Sequence, residues 1–437
     1  MPFDLTAVDV QRAGSHEAKQ NFLVPRVTEA LGLLYAMHWP GREFETSRNV
    51  FLSPIHQETE AVGAVFGAVA GQERPNWYAQ ASQARVYDYS YGRTNWFQNV
   101  ALEHCATRNA GGLFDQSSFG KFLVEGQDAL ACLERLSSNL IDVPIERVIY
   151  TQWLNSKGGI EADLTVTRLD TDRFLVTTGA AVSKRDFTRL SRMAHSFKDV
   201  AITDVSRKFA VIGVMGPRAR ELLQPLTELD LENSAFRFGR VKVARVAEVS
   251  CRLTRISYVG ELGWEVSCLA GEAPRLWRAL CNAGSKLGVV PAGMYAMNTL
   301  RLEKGYRHWG HDISPEDNPY EAGLDFFLRL DKSAEFVGQA ALVAKKNIQP
   351  SRQLMSFRLE DPVPLLHGNE PIFAGEKCVG WITSGGFGHS LGVSTGLGYV
   401  SEGNVGAEFE IEIAGDRFFA VGSLKPLYQP SNPHLRA

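Results

Sequence analysis

Polar and apolar positions alternate along a stretch in the first half of the chain and predict a β-hairpin there. Two apolar runs, residues 148–154 and 160–169, flank Gly158 and Gly159. Paired glycines supply the positive φ angle that a tight reversal needs. A polar side chain stands at every second position of the outgoing strand, namely at Asp163, Thr165 and Thr167. Since successive side chains point to opposite faces of a strand, the carboxylate and both hydroxyls are expected on one face.

Helical spacing of apolar residues and turn signals predict the other elements. The predicted helices cover residues 22–35, 57–68, 126–136, 183–193 and 274–284, and the predicted strands cover residues 173–178, 209–213 and 241–246. Ser183 to Asp186 matches a capping box at the start of one helix. Strands and helices interleave without a regular βαβ period, so the pattern favours an α+β fold over a doubly wound sheet.

The last part of the chain is predicted to be mostly β. A polar link at residues 345–351 is followed by short apolar runs that glycines interrupt. Residues 408–413 alternate strictly, with three glutamates expected outward and Phe409, Ile411 and Ile413 inward. These signals predict a small antiparallel β-barrel or jelly roll of about 80 residues.

Length and composition narrow the class of protein. At 437 residues, with 44% hydrophobic and 22% charged residues, the chain has material for about three globular domains. A net charge of −3 gives no sign of a nucleic-acid or anionic-membrane partner. The six cysteines form no C-x-x-C pair, which argues against a disulfide framework. A signal-peptide pattern and a run of about 18 apolar residues are both absent, so a cytoplasmic location is expected.

The carboxylate of Asp163 has two interpretations. Carboxylates are mostly exposed, so the simple one is a solvent-facing Asp on an amphipathic strand. The other is a polar face that points into a ligand cavity. Residues 155–167 (NSKGGIEADLTVT) resemble the folate-domain segment of the glycine-cleavage T-protein (aminomethyltransferase) family, most of all the folate-binding C-terminal half of dimethylglycine and sarcosine dehydrogenases. The resemblance implies that Asp163 is the main catalytic residue and lies beside N10 of tetrahydrofolate.

A second stretch, residues 255–266 (RISYVGELGWEV), is predicted to form another hairpin. On its own, Glu265 fits a solvated carboxylate beside a packed Trp264. The stretch resembles the family's Tyr-x-Gly-Glu-x-Gly-aromatic-Glu segment, which lines the pterin pocket. That resemblance implies that Glu265 accepts hydrogen bonds from the pterin ring and that Tyr258 forms a wall of the pocket. With Thr165 and Trp264 these residues make up the expected cofactor-binding set.

A third stretch, residues 298–324, resembles the family signature SLRLE-x-G, G-x-D-I and P-x-E-x-G. Arg301 and Glu303 carry opposite charges and are expected to belong to a structural network that holds the loop. His308 and His311 have the spacing of a metal-binding pair. Because an H-E-x-x-H pattern and a third ligand are lacking, no metal site is expected.

Residues 64–78 resemble the joint at which the flavin half of the dimethylglycine dehydrogenase family passes into its folate half. An N-terminal G-x-G-x-x-G motif and the length of a dinucleotide-binding domain are missing, so no flavin domain is expected in this chain. The expected domains are a leader at residues 1–75, an aminomethyltransferase-like folate-binding region at 76–345 and a β-barrel domain at 350–437. The resemblance implies three domains around a central opening in the folate-binding part.

Two positions depart from the T-protein pattern. Met297-Asn298 stands where T-proteins carry Arg-Asp, and Gly179 stands where they carry Asn. Both family positions lie near folate or substrate. The departures disfavour a lipoyl-bound aminomethyl carrier as substrate and favour the dimethylglycine dehydrogenase branch.

The resemblance implies a tetrahydrofolate-dependent one-carbon transferase or demethylase. It would pass a methyl or formaldehyde-level carbon from a methylated small molecule to tetrahydrofolate. Three variants remain open: the folate subunit of a flavoprotein oxidoreductase, a stand-alone demethylase, and a non-catalytic folate-binding protein of the iron–sulfur assembly type. The last group uses a Lys-Gly-Cys-Tyr motif, whereas this chain has Lys304-Gly-Tyr-Arg307, so it ranks lowest. The sequence leaves open the carbon donor and the choice between 5,10-methylene- and 5-methyltetrahydrofolate as product.

In this family the folate nitrogens N5 and N10 are the nucleophiles, so the protein needs no covalent residue of its own. Its tasks are positioning and control of charge. Asp163 is expected to orient N10 and to stabilise developing positive charge, and a raised pKa would let it shuttle a proton. Thr165 is expected to hold Asp163 or the ring in register.

Overall fold

The computed structural model of the chain describes residue 14 and residues 16–429. The α-helices of this part are α1 Gln20–Leu33, α2 His56–Ala61, α3 Phe97–Asn109, α4 Ala129–Leu136, α5 Ser183–Ala194, α6 Ala219–Leu223, α7 Ala273–Ser285, α8 Met294–Glu303 and α9 Gln339–Lys345. None of these helices is long and apolar enough to cross a lipid bilayer.

The strands of the described chain are β1 Ala64–Val69, β2 Gln72–Tyr78, β3 Gly111–Asp115, β4 Gly120–Glu125, β5 Arg147–Leu154, β6 Ile160–Arg168, β7 Arg173–Thr178, β8 Ala201–Asp204, β9 Phe209–Met215, β10 Val241–Val246, β11 Val249–Thr254, β12 Gly263–Leu269, β13 Val289–Pro291, β14 Arg352–Leu359, β15 Pro371–Ala374, β16 Lys377–Gly388, β17 Val393–Ser401, β18 Phe409–Ile413 and β19 Asp416–Ser423. Beside the small β1–β2 sheet, they form a five-stranded sheet (β5-β6-β7-β4-β8), a six-stranded sheet (β10-β11-β12-β9-β3-β13) and a closed barrel (β14-β17-β16-β15-β18-β19).

The five-stranded sheet has one apolar and one polar face. Its apolar face packs on α4 and α5, and the buried core there includes Ala162, Leu164 and Val166 of β6. The polar residues of β6 therefore lie on the opposite face, as the alternation of the sequence predicts. The hairpin is confirmed, because β5 and β6 pair antiparallel with Gln152 directly opposite Asp163.

The six-stranded sheet also has one face that packs on helices and one that does not. Its inner face packs on α6 and α7, and Trp264 and Val266 of β12 belong to that core. The second predicted hairpin is confirmed, since β11 and β12 pair antiparallel. Its connection is longer than predicted: β11 ends at Thr254 and β12 begins at Gly263, so Tyr258 lies in the connection and not on a strand.

The C-terminal strands form the predicted antiparallel barrel. Every neighbouring pair is antiparallel, and β14 closes the barrel by pairing with β19 as well as with β17. Phe409 and Ile411 point into the barrel core, as the alternation of residues 408–413 predicts. The α+β fold class with a C-terminal antiparallel barrel is confirmed, whereas the domain bounds at residues 75, 345 and 350 stay a prediction.

Two local predictions are wrong. The helix expected to continue to Ala68 stops at Ala61, because Gly63 takes a positive φ of 99° and the chain then enters β1. The capping box at Ser183 does not form. Asp186 instead accepts a hydrogen bond from the Thr178 hydroxyl at 2.5 Å, and its other oxygen contacts Arg185, so tertiary contacts override the local cap.

Buried ion pairs tie the third sequence stretch to the rest of the molecule. The Arg301 guanidinium lies 2.5 Å from Asp312, which also accepts a hydrogen bond from Thr383 of the barrel. Glu303 pairs with Arg108 of α3 at 3.1 Å. Arg301 and Glu303 thus take separate partners, and both join α8 to neighbouring elements, which fits the structural network expected of them.

Replacement of Asp312 by Ala is expected to lower the free energy of unfolding by about 3–5 kcal/mol, because it leaves the Arg301 charge buried without its partner. Urea denaturation followed by tryptophan fluorescence measures this. The matched control is Glu335→Ala, whose pair with Arg135 has side chains 85% and 47% exposed and should leave the unfolding midpoint unchanged. Equal midpoints for the Asp312 variant and wild type would contradict the structural role of the network.

Candidate functional site

Asp163 projects from the polar face of β6 and is held by two side chains of β5. The Gln152 amide nitrogen donates to Asp163 Oδ1 at 3.0 Å. The Tyr150 hydroxyl hydrogen-bonds the same carboxyl group. Both donors follow from the hairpin register, which places Gln152 opposite Asp163 and Tyr150 opposite Thr165. The carboxyl group is therefore fixed by neutral donors on the adjacent strand.

Burial dominates the electrostatics of Asp163. It raises the pKa of this carboxyl group from 3.8 to about 6, although the hydrogen bonds from Tyr150 and Gln152 and the charge of Arg307 act in the opposite direction. Asp312 behaves differently: burial raises its pKa too, but the charge of Arg301 and the hydrogen bonds from Thr383, Ser384 and the His308 backbone together hold it below the usual value. Asp163 makes no ion pair within the described chain, which explains the difference.

Thr165 lies two residues further along the same face of β6. It stands between Tyr150 on β5 and Thr177 on β7 and is half-buried. The structure assigns the task of holding Asp163 to Gln152 and Tyr150, whereas Thr165 borders the same polar surface. A contact of Thr165 with a bound ring stays a prediction.

Glu265 projects from the outer face of β12 on the six-stranded sheet. The Gln116 amide nitrogen donates to Glu265 Oε1 at 3.2 Å. The residue opposite Glu265 is Gly213, and a Cβ atom there would come within 2.6 Å of Gln116 Oε1. The absence of a side chain at Gly213 therefore gives Gln116 the room to reach the carboxyl group. Burial raises the pKa of Glu265 to about 7, while the Gln116 hydrogen bond and the charge of Lys121 act against the rise.

Trp264, expected in the cofactor-binding set, lies instead in the core of the six-stranded sheet. Trp264 is 0% exposed and packs in the core of the six-stranded sheet, with its ring 6.2 Å from that of Phe236. It precedes Glu265 on one strand, so the two side chains point to opposite faces. Trp264 can support the strand that carries Glu265, but it cannot line the same surface.

Tyr258 lies in the connection between β11 and β12 and contacts the third sequence stretch. Its hydroxyl donates to the Arg307 carbonyl oxygen at 2.7 Å, and its ring stacks on Tyr306 with centroids 5.9 Å apart. Burial raises the pKa of this hydroxyl, and the nearby Asp163 charge adds to the rise. Tyr258 is therefore anchored within the electrostatic reach of Asp163, and its role as a wall of a pterin pocket stays a prediction.

Asp163 and Glu265 stand on different sheets, and no hydrogen bond of the described chain joins them directly. They are related through strand register, packing and an electrostatic interaction. Phe114 is in register with Glu265 across β9 and belongs to the apolar cluster against which Tyr258 packs. Tyr258 in turn contacts Arg307, whose charge acts on Asp163. Residues that neighbour each carboxyl group thus meet at Tyr258.

Each carboxyl group has a glutamine neighbour that the sequence argument missed. Gln116 and Gln152 are 3% and 0% exposed, and the amide oxygen of each has no hydrogen-bond partner within the described chain. The register of the predicted hairpin would have revealed Gln152, since it stands opposite Asp163. Gln116 approaches Glu265 only through the folding of a distant segment, and local sequence carries no signal for that contact.

A buried amide oxygen without a donor is costly unless a ligand or water supplies one. Gln116 Oε1 and the Glu265 carboxyl group form one set of acceptors, and Gln152 Oε1 and Asp163 form another. Both sets suit a ligand that presents N–H donors. Groups of three or more His, Cys, Asp or Glu side chains placed to hold a metal ion do not occur among the residues that the structure describes.

Family comparisons agree with this architecture. The family model described as "GCVT N-terminal domain" matches residues 55–332, and the model described as "Glycine cleavage T-protein C-terminal barrel domain" matches residues 352–429. The chain belongs to the glycine cleavage T-protein family. A third description, "FAD dependent oxidoreductase central domain", matches residues 1–53. The resemblance drawn from the three sequence stretches is thereby confirmed.

Similar proteins include members of the T-protein family joined to further sequence. The chain is 42% identical over 435 residues to 4-methylaminobutanoate oxidase (formaldehyde-forming) of Paenarthrobacter nicotinovorans, covering 99% of this chain and 53% of that protein. It is 34% identical to mitochondrial dimethylglycine dehydrogenase of Homo sapiens, covering 98% of this chain and 49% of the relative. The chain thus spans about half the length of these curated relatives.

A solved structure supports the same fold. The glycine cleavage system aminomethyltransferase T from Bartonella henselae superposes with a TM-score of 0.75 at 27% sequence identity. The match covers 87% of this chain and 98% of the T-protein. The arrangement of sheets and barrel described above is therefore that of a T-protein.

The raised pKa of Asp163 predicts a pH-dependent effect of Asp163→Asn on stability. Partial burial disfavours the ionised carboxylate in the folded state. Ionisation of Asp163 therefore lowers the free energy of unfolding by its full amount above about pH 6, and by nothing below about pH 4. The Asn variant, which resembles the protonated acid, should raise the free energy of unfolding at pH 8 by up to about 3 kcal/mol. Urea denaturation at a series of pH values measures the gain.

The matched control for this series is Asp416→Asn, at the exposed start of β19 in the barrel, which should show no pH-dependent difference from wild type. A gain for the Asp163 variant that does not shrink as the pH falls through 6 would contradict the assigned electrostatics. So would a loss of stability at pH 8.

Proposed function

We propose that the chain is a tetrahydrofolate-dependent one-carbon transferase. It passes a methyl or formaldehyde-level carbon from a methylated small molecule to tetrahydrofolate. The observation that carries the proposal is the pair of carboxyl groups, Asp163 and Glu265, that are half-buried without an ion-pair partner and lie beside unpartnered amide oxygens. Membership of the T-protein family supports the proposal, as do relatives named as an aminomethyltransferase and as a formaldehyde-forming oxidase.

The acceptors around Glu265 fit the edge of a pterin ring. That edge presents an amino group and a ring N–H side by side, and a carboxylate can accept both in a bidentate contact. Gln116 Oε1 supplies a further acceptor beside Glu265. Since burial already disfavours an isolated charge there, N–H donors from a ligand would stabilise the ionised form of Glu265. We therefore assign Glu265 to recognition of the ring.

Asp163 is assigned to the reacting end of the folate. When bound, tetrahydrofolate supplies the nucleophilic nitrogens. The Asp163 carboxyl group has a pKa of about 6, so it is mostly ionised near neutral pH yet able to take up a proton. Its charge lies in a region of low dielectric constant, where it stabilises positive charge more strongly than it would in water. Gln152 and Tyr150 hold its oxygens in place, and this limits the reorganisation that the reaction requires.

The source of the carbon is proposed to be a flavin-dependent demethylation. The match of residues 1–53 to part of a FAD-dependent oxidoreductase supports a flavoprotein oxidoreductase as partner. The related 4-methylaminobutanoate oxidase and dimethylglycine dehydrogenase are named for oxidation of N-methyl compounds. An N-methylated amine or amino acid is therefore the proposed class of donor. The alternative of a non-catalytic folate-binding protein predicts folate affinity without turnover, so one assay separates the two.

The deciding assay is anaerobic incubation of the chain with tetrahydrofolate and either formaldehyde or a panel of methylated amines, ethers and sulfonium compounds. Mass spectrometry of the folate products reports the outcome. Enzyme-dependent formation of 5,10-methylene- or 5-methyltetrahydrofolate supports the proposal. Folate binding with no product from any donor, and no acceleration with formaldehyde, favours the non-catalytic alternative.

Asp163→Asn is expected to lower turnover by about 10²-fold or more while the folate dissociation constant stays within about twofold of wild type. The reason is that the carboxylate charge acts mainly on positive charge that develops during the reaction. Steady-state kinetics and calorimetric titration with tetrahydrofolate measure the two effects separately. Unchanged turnover in the variant removes Asp163 from the mechanism.

Glu265→Ala is expected to weaken folate binding by about 2–3 kcal/mol, since it removes a charge-assisted pair of hydrogen bonds. Calorimetry with tetrahydrofolate is the measurement. Glu408→Ala, at an exposed position before β18, is the matched control and should bind folate as wild type does. An unaltered dissociation constant for the Glu265 variant refutes its role in ring recognition.

A further inference from the structure

Helix α1 exposes apolar side chains to solvent along one side and faces the rest of the chain with its other side. Six apolar side chains at its surface and its C-terminal end are exposed: Leu23 at 45%, Val24 at 59%, Val27 at 43%, Leu31 at 59%, Leu34 at 61% and Tyr35 at 98%. With 3.6 residues per turn, these positions fall within an arc of about 120°. We call these six residues the α1 stripe. A helix of this kind normally buries such an arc against its own core.

The opposite side of α1 is fastened to the chain by mainly polar contacts. Arg26 donates to the Thr46 carbonyl oxygen at 2.6 Å, and Glu29 accepts from the backbone N–H groups of Glu45 and Thr46 at 2.8 Å each. Phe22 is the buried apolar residue of the helix. These contacts fix the orientation of α1, so the outward direction of the stripe is a property of the fold.

The exposed arc needs an explanation because its members are adjacent. Single exposed apolar residues are common on protein surfaces, but a contiguous patch on one helix face marks an interaction surface. The entire helix lies within residues 1–53, the segment that matches the central domain of FAD-dependent oxidoreductases. Residues 55–332 and 352–429 match the two T-protein family models instead. The stripe therefore sits on the segment whose similarity is to a flavoprotein.

We propose that the α1 stripe is the docking surface for a flavin-dependent oxidoreductase, whose central domain is completed by residues 14–53 of this chain. The proposal rests on the proposed function for its purpose, because the partner would generate the one-carbon unit that the folate site receives. The first two relatives support this occupant: each is about twice as long as the matched region and is named as an oxidase or a dehydrogenase. A helix that belongs to such a domain would pack its apolar arc on the rest of it.

The test uses the full chain and a defined flavoprotein probe. The probe is the half of Paenarthrobacter nicotinovorans 4-methylaminobutanoate oxidase that lies outside the region matched by this chain, co-expressed as a separate polypeptide and confirmed by its absorbance to contain FAD. Size-exclusion chromatography and sedimentation velocity, read at the flavin absorbance, report the complex. A flavin-containing complex with the wild-type chain is expected.

Substitutions on the stripe provide the decisive comparison. The double variant Val27→Asp, Leu31→Asp should weaken the apparent dissociation constant by about tenfold or more, since charges are placed in an apolar contact. The matched control is Val343→Asp, which also replaces a helical valine, 55% exposed, on α9. It should retain the complex. Circular dichroism and folate titration of all variants should equal those of wild type.

Three outcomes would overturn the proposal. One is that the FAD-containing probe fails to bind the wild-type chain. Another is that the stripe variant binds it as tightly as the control variant does. The third is a dimer of this chain, or binding to anionic phospholipid vesicles, that the stripe substitutions abolish while flavoprotein binding persists. Loss of folate binding in every variant and in wild type would instead refute the proposed function and leave the docking result valid.

Discussion

Partial burial of two carboxyl groups without a cationic partner is the constraint on which the proposed site depends. Asp163 and Glu265 are held by amide and hydroxyl donors, and burial raises the pKa of the two groups to about 6 and about 7. The fully buried carboxylates Asp312 and Glu303 have arginine partners instead. An unpaired buried charge destabilises the folded chain, and such strain is typical of sites that bind or transform a ligand.

The division of each sheet into an apolar and a polar face places these two carboxyl groups. One face of each sheet carries its helices and its apolar core, and this leaves the other face for polar residues. Strand alternation then places Asp163 and Glu265 away from those cores, while the connection that carries Tyr258 packs on the apolar cluster that contains Phe114. The buried pairs of Arg301 and Glu303 attach α8 to the barrel and to α3, so the surfaces that border the site are held in a fixed relation.

The parts of this arrangement that local sequence could predict are those set by periodicity and turns. Alternation predicted the hairpin of Asp163, the barrel strand at Phe409 and the face on which each side chain lies. The same alternation places Trp264 and Glu265 on opposite faces of β12, so one pocket surface does not hold both side chains. The capping box at Ser183 failed because the buried Thr178 hydroxyl offered Asp186 a better partner than the helix terminus. Contacts such as Gln116 with Glu265 depend on tertiary approach and leave no local pattern.

The central claim is that Asp163 and Glu265 face one folate-binding region from two sheets. A crystal structure of the chain with tetrahydrofolate tests it most directly. The pterin edge is expected within about 3.2 Å of Glu265, and the reacting nitrogens beside Asp163. Folate bound elsewhere, or a ring that leaves both carboxyl groups without contact, would contradict it.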